Sequence, residues 1–114
     1  MPLLKILTNV PLLPERREWL LAAASRAVAG MLGKPERYVM ATLETGVPMI
    51  FAGSHAPCAY LELKSIGLPD DRTAELSRAL CDALGPLLQV APERTYIEFS
   101  NAEPHLWGWN GETF

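Results

Sequence analysis

The sequence predicts an α/β domain (α+β in schemes that separate the layers), built from duplicated strand–helix–strand units. These form one four-stranded sheet with two helices on one face. Three observations carry the prediction. A tripeptide recurs at half the chain length, two stretches show amphipathic helical spacing, and short apolar runs flank each stretch. Pro35-Glu36-Arg37 returns as Pro92-Glu93-Arg94, an offset of 92 − 35 = 57 residues in a chain of 114. That length suits a single domain, residues 1–114, with pseudo-repeats over roughly 2–44 and 58–100 and a C-terminal interface segment at 101–114.

Leu3-Leu4-Lys5-Ile6-Leu7 reads as a short, mostly buried strand, closed by the turn residues Asn9, Pro11 and Pro14. From Glu15 to Leu32, the residues Leu20, Ala23, Ala24, Ala27, Val28 and Met31 recur at helical spacing, and Gly33 with Pro35 marks the stop. Tyr38 to Leu43 is the expected second strand. In the second half, Cys58 to Leu63 is a strand, and Pro69-Asp70-Asp71 opens a helix with negative charge at its N-terminus. Leu76, Ala79, Leu80, Ala83, Leu84 and Leu87 form that helix's stripe. Pro86 removes a helix hydrogen bond, so a kink or loosened last turn is expected there. Thr95 to Phe99 closes the domain.

The strands at 38–43 and 58–63 read as apolar on both alternating sets, and no third helix remains to cover the second face. Self-association through that face is the economical solution. Composition narrows function by exclusion. A net charge of −3 offers no basic surplus for phosphates, so no nucleic-acid partner is expected. Cys58 and Cys81 are far apart, and His55 and His105 lack ligand spacing, so no metal and no cofactor is expected. The absence of a signal-peptide pattern or a long apolar run predicts a cytoplasmic protein without a membrane partner.

Taken alone, Met1-Pro2 is ordinarily a matter of N-terminal processing. A proline opening a core strand, however, would have its nitrogen held in place once Met1 is removed. An ordinary α-amino group has a pKa of roughly 7.7–8.0, and partial burial beside a cation would move a terminal amine toward neutrality. Lys34 has a bland explanation as a charge at a helix C-terminus. Ser65-Ile66-Gly67 reads as a turn, and Tyr96 as a core or interface tyrosine.

Met1-Pro2 with Thr8-Asn9-Val10-Pro11, Gly33-Lys34-Pro35, Gly53-Ser54 with Pro57-Cys58-Ala59, Ser65-Ile66-Gly67, and Gly108-Trp109-Asn110 with Thr113-Phe114 together resemble the macrophage migration inhibitory factor family, end to end. The resemblance implies a homotrimer with active sites between subunits. It also implies a keto–enol tautomerase of phenylpyruvate-type α-keto carboxylates. On that pattern Pro2 is the general base and Tyr96 reaches the neighbouring subunit's pocket. Lys34 binds the substrate carboxylate and the backbone at Ser65-Ile66 hydrogen-bonds substrate. Tyr38, Trp107, Trp109 and Phe114 wall an aromatic cleft.

The chain departs from the family at Leu61, where the animal protein's second Cys-x-x-Cys cysteine would stand, which removes thiol chemistry. Glu98 replaces an asparagine, Trp107 an aliphatic residue and Lys64 a histidine. An ionised Glu98 in the pocket would repel an anionic substrate and weaken the activity. Two other readings stand beside this one. The first is a cytokine-like trimer with a vestigial pocket and a protein receptor, since animal members act outside cells without a signal peptide. The second is a related dehalogenation or hydration using the same proline.

Overall fold

A computed structural model describes all residues, 1–114. Strand β1 (Leu3–Thr8) leads into helix α1 (Pro14–Leu32) and strand β2 (Met40–Glu44). Strand β3 (Ala59–Ile66), helix α2 (Thr73–Leu88) and strand β4 (Thr95–Ala102) follow in the same order. The sheet order is β2-β1-β3-β4. Within each half the strands are parallel, while the central pair, β1 and β3, is antiparallel, so the sheet is mixed.

Strand alternation divides the residues between the two faces. Leu4 and Ile6 of β1, with Ala59, Leu61 and Leu63 of β3, join Leu20, Ala24 and Val28 of α1 and Leu76, Leu80, Leu84 and Leu88 of α2 in one buried cluster. Both helices therefore share one face. Each leucine wholly removed from water there contributes about 1.5–3 kcal/mol.

The other face differs from the sequence expectation. It carries Lys5, Thr42, Glu44, Tyr60, Glu62, Lys64 and Glu98 among its apolar residues. β3 alternates apolar and polar from Leu61 to Lys64, as a strand buried on only one side does. The apolar residues Cys58 and Ala59, adjacent in sequence, had made both sets look apolar. Cys58 precedes the strand, and its N–H bonds Asn9 Oδ1 at 2.9 Å.

Three local features also depart from expectation. Glu36–Tyr38 is a single 3-10 turn, so β2 begins at Met40 and Tyr38 lies outside the strand. The second copy of the tripeptide, Pro92–Arg94, forms a matching 3-10 turn before β4. The repeated tripeptide thus marks equivalent entries to the two edge strands. Asp70–Arg72 is likewise a 3-10 turn, and α2 proper starts at Thr73. Pro86 does not end α2, which runs two residues further to Leu88. Gln89 then takes a left-handed conformation, and Val90 N–H bonds Gly85 O at 3.1 Å.

Candidate active site

Pro2 immediately precedes β1 and is fully buried, and its carbonyl accepts a hydrogen bond from Met40 N–H at 3.0 Å. The chain start is thereby pinned between β2 and β3, in register with Ser65, one position beyond the Leu3–Lys64 pair. A cavity of about 460 Å³ opens against it, lined by Met1, Pro2, Leu3, Arg37, Tyr38, Val39, Met40, Trp107, Gly108, Trp109 and Phe114. A volume of that size suits a small organic molecule.

The aromatic wall comes from two separate segments. The 3-10 turn at 36–38 supplies Tyr38. Trp109 and Phe114 come from a C-terminal hairpin, β5 (Gly108–Trp109) and β6 (Glu112–Thr113). The hairpin turns at Asn110 and Gly111, both with positive φ, as a two-residue turn of this hand requires. Trp109 and Phe114 stack at 5.6 Å, and Tyr38 meets both edge-on at 6.0 and 6.5 Å.

The terminal amine, which belongs to Met1 in this structure, is held below its ordinary pKa, first by burial and second by the charge of Lys34. Lys34 is placed by the way α1 ends. Gly33 takes a left-handed conformation, and Lys34 N–H returns to Ala29 O at 3.0 Å, which closes the helix and sets the backbone at Lys34.

Of the residues singled out in the sequence, Pro2, Tyr38, Trp107, Trp109 and Phe114 line this cavity, and Lys34 acts on the Met1 amine beside it. Ser65 is buried beside the chain start and donates to Ile66 O at 3.1 Å. Asn101 Oδ1 accepts from Leu68 N–H at 3.1 Å and fixes the turn that follows Ile66.

Tyr96 and Glu98 lie elsewhere. Tyr96 pairs with Tyr60, which pairs with Leu7, five residues from Pro2 and two strands away. At ordinary strand spacings that is roughly 20 Å. Glu98 sits directly opposite Glu62 on the helix-free face, and Tyr60 Oη lies 2.8 Å from Glu98 and 3.0 Å from Glu62. One hydroxyl between two acids keeps its proton, so the phenol is pushed well above its usual range. The bond to Glu98 is the largest cause, ahead of desolvation and the bond to Glu62. Wild type and Tyr60→Phe should therefore show equal phenolate absorbance in an alkaline titration at about pH 11; a clear loss in the variant would mean that Tyr60 ionises freely.

Sequence reasoning missed two arginines. Arg94 donates to the carbonyls of Phe51, Ser54, Ala56 and Pro57 at 2.9–3.1 Å, tying down the segment before β3. Phe51, beneath that guanidinium, packs edge-on against Tyr96 at 4.8 Å. Arg37 lines the cavity with its guanidinium 4.7 Å from the centre of the Tyr38 ring. The duplicated tripeptide contained both residues, and comparing its two copies was the available signal.

The fold and the cavity at the chain start together define a two-helix, four-stranded α+β protein with an N-terminal pocket. The model of the family described as macrophage migration inhibitory factor (MIF) matches residues 1–114, and the chain belongs to that family. It is 38% identical over 119 residues to the macrophage migration inhibitory factor homolog of Brugia malayi, covering 100% of this chain and 99% of that one. It is 35% identical over 115 residues to the macrophage migration inhibitory factor of Meriones unguiculatus, at 100% and 99% coverage. Among solved structures, the homologue from Prochlorococcus marinus superposes with a TM-score of 0.91 at 43% identity, covering 98% of both chains. No helix is long and apolar enough to cross a membrane.

Proposed function

We propose that this protein is a keto–enol tautomerase of 2-oxo carboxylates of the phenylpyruvate type, working as a homotrimer with Pro2 as the general base after removal of Met1. The observation that carries the reading is the buried Pro2 at the mouth of an aromatic cavity, next to a Met1 amine that burial and Lys34 hold below its ordinary pKa. A base whose pKa lies near the working pH is the most effective.

In the reaction, Lys34 holds the substrate carboxylate, and the Pro2 nitrogen takes a proton from the carbon beside the keto group. The C–H electrons form the C=C bond while the carbonyl electrons move onto oxygen. A proton then returns to that oxygen to give the enol, so no outside reactant is consumed. Tyr96 of a neighbouring subunit and backbone at Ile66 offset the charge on the enolate oxygen; aligned donors of this kind are worth ~2.7–4 kcal/mol each.

Apolar side chains left in water support the assembly. Met40, Ile50, Tyr96 and Leu106 are 63–72% exposed. Residues of this kind, set among polar neighbours, are typical of an interface between subunits. Glu98, carried toward the neighbouring pocket with Tyr96, sets the activity toward anionic substrates low. Intact mass, light scattering and ketonisation of the enol of phenylpyruvate form the test. The expected result is a trimer lacking Met1 that accelerates ketonisation. A stable monomer at micromolar concentration would remove the shared site, and a trimer without activity would remove the chemistry.

A further inference from the structure

We infer that Arg37 makes the cavity selective for 2-oxo dicarboxylates over monocarboxylates; the inference rests on the tautomerase reading and names its substrate class. Arg37 is the only charged side chain lining the cavity. Its guanidinium carbon lies over the Tyr38 ring, 4.7 Å from the ring centre. A cation–π contact uses none of the N–H donors of a guanidinium, whose planar fork remains suited to a carboxylate.

Those donors have no partner in the protein. The one ion pair within 4.0 Å is Arg72–Glu75. The adjacent acid, Glu36, accepts instead from Ser25 Oγ at 2.9 Å. The equivalent arginine of the second tripeptide shows the contrast, because Arg94 spends its donors on four backbone carbonyls. The same local turn thus yields one arginine used for structure and one with an open fork at a cavity.

The two cations sit on opposite sides of Pro35 and Glu36. Lys34 acts electrostatically on the amine at the chain start, and the carboxylate on the keto carbon must lie on its side. Arg37 faces the aromatic wall, where the far end of the substrate must lie. A second carboxylate there meets a bidentate donor beside apolar surface, where charge-assisted bonds are strongest.

The test compares kcat/KM for ketonisation of the enols of oxaloacetate and phenylpyruvate in wild type, Arg37→Gln and Arg37→Lys. The diacid-to-monoacid ratio should fall about 10-fold or more in Arg37→Gln. It should be intermediate in Arg37→Lys, which keeps the charge and loses the fork. An unchanged ratio in Arg37→Gln overturns the inference. Should neither enol be turned over, quenching of tryptophan fluorescence by phthalate against benzoate decides. A phthalate preference that is lost in Arg37→Gln supports diacid selectivity while the tautomerase reading falls. Equal binding of the two by wild type overturns the selectivity.

Discussion

Replacing Pro2 with glycine is expected to lower kcat/KM for ketonisation by at least ~10-fold in a chain that folds normally, since general acid–base catalysis, which in this direction returns the proton from Pro2 to carbon, contributes roughly 10²–10⁴. Folding should survive because the structural bond at this position runs from Met40 N–H to the residue 2 carbonyl, which glycine retains. Glycine also keeps an amine at the chain start, so the loss reads the basicity and rigidity of the proline ring. Circular dichroism and kinetics on the same preparation separate the two effects. Unchanged activity would reduce Pro2 to a signal for methionine removal.

The pH profile supplies the companion result. The base works only when deprotonated, and at this chain start the Met1 amine is held below its ordinary pKa by burial first and by Lys34 second, surroundings that the Pro2 amine would inherit once Met1 is removed. Removing the cation in Lys34→Ala lets the amine hold its proton to higher pH. The acid limb of kcat/KM for enolisation, the direction in which Pro2 takes the carbon proton, should therefore move upward, with KM for the carboxylate rising as well. A limb that stays in place would leave burial as the whole cause.

The second large effect is recovery of activity on mixing two impaired chains. Pro2 and Tyr96 stand at opposite ends of the sheet in one chain, so a site that uses both must draw them from different subunits. Pro2→Gly and Tyr96→Ala chains, refolded together in equal amounts, should regain activity. A working site needs Pro2 from one variant and Tyr96 from the other. Random assembly makes about one quarter of sites so composed, and activity should approach that fraction of wild type. Mixing without any recovery, in trimers shown by mass to be mixed, would mean that Tyr96 has no part in the reaction.

Glu98 shows how tertiary contacts qualify a charge read from sequence. Its carboxylate is engaged by Tyr60, and its register partner is a second acid, Glu62. Like charges directly opposite on a sheet are destabilising, and the shared hydroxyl partly offsets that cost. Nothing in the spacing of 60, 62 and 98 announces the cluster, because it forms only when β4 pairs with β3.

What the sequence determined by itself was whatever rests on local period and local stops. The 3.6-residue stripes of α1 and α2 and the Gly33 stop are properties of a few adjacent side chains, and they appear at or within a few residues of where they were read. The boundary errors have a local cause too. Pro35 and Pro69 fix their own φ and favour a tight turn, so Tyr38 and Asp70 enter 3-10 turns before the regular element begins. The tertiary structure alone decided the antiparallel meeting of the two halves and the convergence of residues 1–3, 37–40 and 107–114 on one cavity. Those depend on pairings between segments tens of residues apart, chosen by burial of one shared core, and no window of sequence contains both partners.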